Sequence, residues 1–238
     1  WRQAPPAAVF GQLAEIDRGA ALEASRLNAR LIAAELDELN IDVNCLPCLD
    51  LRQREGHDVI GDRAFGFDPG LVAALGRQAA EGLLAGGVLP VAKHIPGHGR
   101  ARVDSHESLP VIEADEETLA RADFPPFRAL ADLPIAMTGH VLLTAIDRAA
   151  PATTSPTVIA EVIRKQIGFE GLLLSDDISM RALAGDVGEG ASAALAAGCD
   201  IVLHCNGDMG EMEAVAAATG DLEGDGAARA ARALAWRR

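Results

Sequence analysis

The sequence predicts an α/β fold with a parallel, barrel-like sheet, and three observations carry this. Segments with Ala, Leu and charges at three- and four-residue spacing alternate with short apolar runs of strand length. The apolar runs are continuous rather than alternating, which is how parallel strands buried on both faces read. Each run also finishes in polar, chemically capable residues: Asp50; Lys93 and His94; His140; Asp176 and Asp177; His204 and Asn206. A parallel α/β barrel gathers its active site at the carboxyl ends of its strands, so these positions point to one shared site.

In chain order, a first helix is expected over Leu13–Leu39, with Leu27, Leu31 and Ala34 on one face. A strand, VNCLPCLDL (Val43–Leu51), comes after it, then a helix near Leu71–Leu84 and the strand VLPVAKHI (Val88–Ile95). A helix over Glu116–Leu130 leads to the strand LPIAMTGHV (Leu133–Val141). The next helix, Pro156–Ile167, has the clearest signals: Ser155 as N-cap with proline at the first helical position, and Gly168 as the stop. The strand GLLLSDDI (Gly171–Ile178) comes next, with Asp177 or Ser179 suited to cap the helix after it. That helix is expected over Gly190–Ala197, and it leads to the strand DIVLHCN (Asp200–Asn206). Helices over Asp208–Ala218 and Ala227–Trp236 close the chain, separated by the loop GDLEGDGAARA (Gly220–Ala230). No Pro/Ser-rich linker and no internal repeat interrupts this, so residues 1–238 are expected to form one catalytic domain.

The chain has 238 residues, 49% of them apolar, and a formal charge of −14. No long basic stripe is present, which argues against a nucleic-acid partner. No apolar run of roughly 18 residues exists, so no membrane-spanning helix is expected. No basic segment followed by an apolar stretch opens the sequence, and a cytoplasmic location is the expectation. Cys45 and Cys48 form a CxxC, but i and i+3 of a strand point to opposite faces and chelate poorly; these read as thiols of a reducing compartment.

KHIPGHGRARVDSHESLP (Lys93–Pro110) holds three of the six histidines. Asp104 lies two residues before His106 on a loop that comes after Gly97 and Gly99. A carboxylate so placed accepts one ring N–H, fixes the tautomer and leaves the other nitrogen to exchange a proton; the alternative is a surface pair without consequence. Lys93 ends a buried strand, where an ammonium needs a pocket of hydroxyls or carboxylates, or a salt bridge in the barrel mouth. Asp176, at the end of another, is placed to attack an anomeric carbon, bind a metal or cap a helix. A zinc reading would draw on His94, His98, Asp104, His106, His140 and Asp176, although the spacing of His94 and His98 spans a Pro-Gly turn of unspecified geometry.

Taken together, KHIPGHGRARVDSHESLP and the later GLLLSDDISMRAL (Gly171–Leu183) resemble the bacterial β-N-acetylhexosaminidases of glycoside hydrolase family 3. VIGDRAFGFDP (Val59–Pro69) resembles a third segment of that family. The resemblance implies a TIM-like (β/α)8 barrel that removes terminal N-acetylglucosamine from muropeptides or related glycans in cell-wall recycling. It implies Asp176 as nucleophile, His106 as general acid/base and Asp104 as its orienting partner. Lys93, His94 and Arg63 match residues that hold sugar hydroxyls. No metal and no organic cofactor is implied. A family 3 phosphorylase and a non-catalytic glycan-binding barrel are the alternative readings.

The match has one departure. The family barrel begins with three strands before the first helix, the third ending in a segment that touches the sugar. WRQAPPAAVF (Trp1–Phe10) looks like the stretch just after those strands. About five βα units are thus expected here, with the first three strands missing. On this reading the chain is an N-terminally truncated member with two open sheet edges, and alone it is expected to be inactive.

Overall fold

A computed structural model describes residues 2–53, 58–183 and 185–237. Trp1, the first residue of the WRQAPPAAVF stretch, lies outside the described residues.

Five parallel strands form the main sheet, in the order β1 (Val43–Asn44), β2 (Leu89–Ile95), β4 (Ile135–Thr138), β6 (Leu172–Asp177) and β7 (Ile201–Leu203). Two further short strands, β3 (Val111–Ile112) and β5 (Leu142–Leu143), pair with each other in parallel. The sheet curls into a half-barrel, and β1 and β7 are its edges. Alternation divides its residues. Leu89, Val91, Ile135, Met137, Leu172 and Leu174 cluster with Cys45, Ile201 and Leu203 on one face. Ala92, Ala136, Leu173 and Val202 pack with the helices on the other. Both faces are therefore apolar, which is why the strands read as continuous runs.

The helices are α1 (Ala7–Ile16), α2 (Arg18–Asp37), α3 (Pro69–Leu84), α4 (Glu116–Thr118), α5 (Phe124–Ala129), α6 (Val187–Ala197), α7 (Met209–Thr219) and α8 (Gly224–Leu234). A π-helical turn, Leu119–Asp123, joins α4 to α5, and a longer π-helix spans Val158–Ile167. In the first case Pro125 and Pro126 have no N–H to give, and the Phe124 N–H reaches back to the Leu119 carbonyl. Ser155 caps the longer π-helix by accepting the Val158 N–H at 3.0 Å, and Gly168 ends it with φ 81°. Helix α8 closes the amino-terminal end of the half-barrel. Its Ala230 and Ala233 pack on the inner apolar cluster, Arg229 pairs with Asp200, and Arg237, just beyond it, pairs with Asp42.

Three expectations need correction, and the shared face of Leu27 and Leu31 turns out to point outward. The first helix is two, because Asp17 leaves helical conformation (φ −146°) and caps α2 by accepting the Ala20 N–H. Leu27 and Leu31 do share a face of α2, but they are 46% and 50% exposed. The buried face is Ala21, Ser25, Ala29, Ala33 and Leu36. The reason is close packing on α3 and the residues after it: a Cβ on Gly82 would lie 2.2 Å from the Arg26 carbonyl oxygen, and one on Gly86 would lie 2.2 Å from the Ala33 Cβ. The strand over Val43–Leu51 is regular only at Val43–Asn44, with an isolated bridge from Cys48 to Lys93. Pro47 interrupts the ladder because it has no N–H to donate. Finally, the helix after β6 starts at Val187 and is capped by Asp186, rather than by Asp177 or Ser179.

The α2–α3 contact yields a stability test. Gly82→Ala places a methyl group against backbone that cannot move without shifting a helix. It should cost about 1–3 kcal/mol, read as a lower urea midpoint with unchanged m-value. A midpoint equal to that of the parent chain would show that the two helices separate without penalty.

Candidate active site

The site grows from the alternation of the strands. In β2, Leu89 and Val91 face the inner cluster, so Lys93 is next on that face. In β6, Leu172 and Leu174 face inward and Asp176 comes after them at the rim. In β7, Ile201 and Leu203 place Cys205 in the same way. Three strands thus deliver an ammonium, a carboxylate and a thiol to one mouth. The Cys205 thiol is pushed up by burial and by the Asp177 and Asp176 carboxylates, with a contribution from Cys45, just past the opposite edge strand.

Beneath this rim sits Asp50, fully buried, at the end of the stretch after β1. Its Oδ2 accepts from the His94 ring Nδ1 at 2.6 Å, from the His94 backbone N–H at 3.2 Å and from the Cys48 thiol at 3.2 Å. Its Oδ1 accepts the His98 backbone N–H at 2.6 Å. Burial alone would raise this carboxyl. The charge and hydrogen bond of His94, together with the donors at His98, outweigh it and hold Asp50 far below the ordinary carboxylate range. His94 in turn directs Nε2 toward Asp176, 3.9 Å from its Oδ2.

Asp176 is itself mostly buried, which acts to raise it. The His94 and His140 imidazoles, the Asp177 N–H and Lys93 win, and the group is held below the ordinary carboxylate range. The mouth therefore presents an ionised carboxylate at neutral pH. Its neighbour Asp177 plays a structural part. The Asp177 Oδ1 accepts N–H groups from Ser179 at 3.0 Å and Cys205 at 3.1 Å, tying the exit of β6 to that of β7.

Two buried histidines flank this assembly in the neutral form. Burial lowers His140, against the pull of Asp176. Its Nε2 lies 2.9 Å from the Asp177 carbonyl, so Nε2 carries the proton and donates; Nδ1 then accepts from the Thr153 hydroxyl at 2.7 Å. Burial and the neighbouring His94 lower His98 to about 4.

Asp104 and His106 lie on the loop after β2. The His106 N–H and ring Nδ1 both approach Asp104 Oδ1, at 2.9 and 2.7 Å. The His106 side chain is 65% exposed. The structure brings Asp176, His94 and Lys93 together at the mouth and carries the Asp104–His106 pair on the loop after β2. That loop is tethered near its start, at Arg100, and within the pair itself, at Ser105. Arg100 donates to buried Asp123 at 2.7 Å, and the Ala182 N–H donates to the Ser105 carbonyl at 3.1 Å. Arg63 lines a mainly apolar cavity of about 260 Å³ together with Lys93 and Cys48, and its guanidinium donates to the Val59 carbonyl at 2.9 and 2.6 Å.

Residue patterning placed Asp50 and His140 at the shared strand ends without a specific role beyond zinc for His140, offered His98 only to zinc, and left Cys205 out. The available signal for Asp50 and His140 was their place at strand ends; for Cys205 it was the inward period of β7. Of the CxxC pair, Cys45 packs on the inner cluster and Cys48 with Ile60 and Ala64. Among the described residues, the donors that approach one another as metal ligands do are Cys48, Asp50 and His94, a set different from the one the sequence offered. Their hydrogen bonds to one another already satisfy them.

The chain matches the model of the glycosyl hydrolase family 3 N-terminal domain over residues 2–232. It is 42% identical over 209 residues to a beta-hexosaminidase of Chromobacterium violaceum, covering 85% of this chain and 57% of that one. It is 38% identical over 232 residues to a beta-hexosaminidase of Methylobacillus flagellatus, covering 96% and 66%. The chain thus spans 57–66% of the length of these two relatives. The crystal structure of NagZ from Neisseria gonorrhoeae in complex with N-trifluoroacetyl-D-glucosamine superposes with a TM-score of 0.87 at 34% identity, covering 98% of this chain and 67% of that one.

The buried histidine His98 has a consequence for stability. Its pKa of about 4 lies below the ordinary 6.5, so the unfolded chain takes up a proton first as pH falls. The contribution is complete above pH 6.5 and is lost as pH drops toward 4, on the order of 3 kcal/mol. Urea unfolding at intervals through this window should show the decline, and His98→Gln should remove that part of it. An unchanged slope in the variant would assign the decline to another group.

Proposed function

The chain belongs to glycosyl hydrolase family 3, and from that premise we propose that it carries the reacting groups of a retaining exo-β-N-acetylglucosaminidase. The substrate is a terminal N-acetylglucosamine on a muropeptide or related glycan, in a cytoplasmic, cell-wall-recycling setting. The observation that carries this reading is the ionised Asp176 carboxylate at the strand-end mouth, facing Lys93 and His94, with an imidazole–carboxylate pair on the adjoining loop. The N-acetylglucosamine analogue bound by the Neisseria gonorrhoeae relative supports the substrate class.

In this mechanism Asp176 attacks the anomeric carbon and the bond to the leaving oxygen breaks, with inversion. His106 protonates that oxygen through Nε2 while Asp104 accepts from Nδ1 and stabilises the imidazolium. A covalent glycosyl-enzyme results. His106, now neutral, takes a proton from water, whose attack with a second inversion releases the sugar with retained configuration. Lys93, His94 and Arg63 hold sugar hydroxyls. The exposure of His106 fits a dyad carried into the mouth when the loop moves inward over bound sugar.

The imidazole in the acid/base position also favours a second reading. A histidine does not repel an incoming anion as a second carboxylate would, so the same site suits phosphate as the acceptor. Sugar 1-phosphate as product in phosphate buffer would establish the phosphorylase; free sugar establishes the hydrolase. Glycan binding without turnover would establish a non-catalytic barrel. The five-stranded half-barrel alone provides part of a sugar pocket, and the 238-residue chain is expected to be inactive and association-prone by itself. Gel filtration and hydrolysis measurements check this directly, and a monodisperse, active chain contradicts it.

Two variants test the roles in a protein that contains this chain and hydrolyses a chromogenic β-N-acetylglucosaminide. Asp176→Asn removes the nucleophilic charge at nearly constant volume and should reduce turnover to background with the fold intact; parent-like turnover would mean that another carboxylate is the nucleophile. His106→Ala should slow poor leaving groups by about 10²–10⁴-fold and good ones much less. An equal loss for both would remove the acid role.

A further inference from the structure

Asp50 touches neither substrate nor Asp176 in the mechanism above, yet more donors converge on it than on any other side chain described at the mouth. A carboxylate is an acceptor at both oxygens. Here one oxygen takes the His98 N–H, and the other takes the His94 N–H, the His94 ring Nδ1 and the Cys48 thiol. With Asp50 buried and ionised, no proton is available from its side, so the proton in the 2.6 Å contact belongs to His94 Nδ1. The ring can neither flip nor shift that proton without leaving an unpaired buried charge.

We infer that Asp50 is a positioning residue for the sugar clamp: it fixes His94 with the proton on Nδ1 and Nε2 turned toward Asp176. The consequence lies in the remaining gap. The 3.9 Å between His94 Nε2 and Asp176 Oδ2 is too long for a direct hydrogen bond and fits a single bridging oxygen within hydrogen-bond reach of both. A substrate hydroxyl is the atom this arrangement takes, an assignment that rests on the reading of His94 as a sugar-holding residue. Asp50 thereby sets the polarity of the group that meets the hydroxyl, without meeting it.

An amide cannot reproduce the arrangement. In Asp50→Asn the side chain keeps one oxygen and gains one NH2. With the oxygen toward His98 N–H, the NH2 faces His94 Nδ1 and drives the imidazole to the opposite tautomer, with the proton on Nε2. With the oxygen toward His94, the NH2 faces the His98 N–H, donor against donor. Cys48 is different: its thiol adds a third contact to Oδ2, and removing it leaves both histidine contacts in place.

The test reads the tautomer. A protein that contains this chain is labelled with 15N in histidine, and the His94 ring nitrogens are assigned by their loss in His94→Gln. Nδ1 should carry a proton in the unmodified chain near neutral pH, and a bare Nδ1 would overturn the inference whether or not any variant folds. In Asp50→Asn the proton should move to Nε2, and in an active protein containing this chain kcat/KM should fall about 10–100-fold, the range for loss of a group that orients a working histidine. Cys48→Ala should keep the parent tautomer and activity. A folded Asp50→Asn protein with the parent tautomer and parent kinetics would also overturn the inference. Since the tautomer is read without turnover, an inactive protein with Nδ1 protonated upholds the inference and counts against the hydrolase alone.

Discussion

The mouth of this half-barrel is organised around one buried negative charge. An ionised carboxylate without solvent is costly unless donors surround it, and Asp50 satisfies that condition by drawing in the end of β2, the turn at His98 and the Cys48 thiol. The same condition fixes geometry. The backbone around Asp50 and the turn after β2 are in close contact, since a Cβ on Gly99 would lie 1.9 Å from the Leu51 carbonyl oxygen. Glycine at that position is a requirement of the approach. The carboxylate, the imidazole it holds and the turn beyond are one unit.

The second constraint is the alternation of the strands. Each strand contributes apolar residues to the inner face until it reaches the rim, where the next inward residue is polar: Lys93 after Val91, Asp176 after Leu174. This places a cation and an anion near each other without long side chains having to search for one another. The histidines behind them are largely dry. Burial opposes the charged forms of His98 and His140, and it opposes the charge of Asp176 too, which is held ionised by His94 first, then by His140, the Asp177 N–H and Lys93. A carboxylate proposed as a nucleophile needs that balance: enough positive field to remain ionised, and no ion pair so tight that the oxygen is blocked. The 3.9 Å separation from His94 meets it.

The Asp104–His106 pair obeys a different logic. Its two contacts span two residues and form within the loop itself. What the rest of the protein adds is anchorage, through Arg100 on Asp123 and through the Ala182 N–H on Ser105. Local chemistry makes the dyad, and the anchors decide where it operates. The same split runs through α2. Its helical character comes from composition, while the choice of which face to bury came from Gly82 and Gly86, which admit the alanine face of α2 more closely than any leucine face could approach.

Local patterning was enough for the alternation of helices and buried parallel strands, the Ser155 and Gly168 boundaries, and the polar strand ends at Lys93, His94 and Asp176. These depend on period, side-chain type and turn chemistry, which act over a few residues. It was enough too for the Asp104–His106 contact, because a spacing of two leaves the imidazole within reach of the carboxylate. Other features took shape only when distant segments met. Asp50 and His94 are separated by 44 residues, so no local pattern announces that one fixes the other. The burial that keeps His98 and His140 neutral, and the ionisation of Asp176, depend on the sum of surrounding charges and excluded water. Those sums exist only once five strands lie side by side.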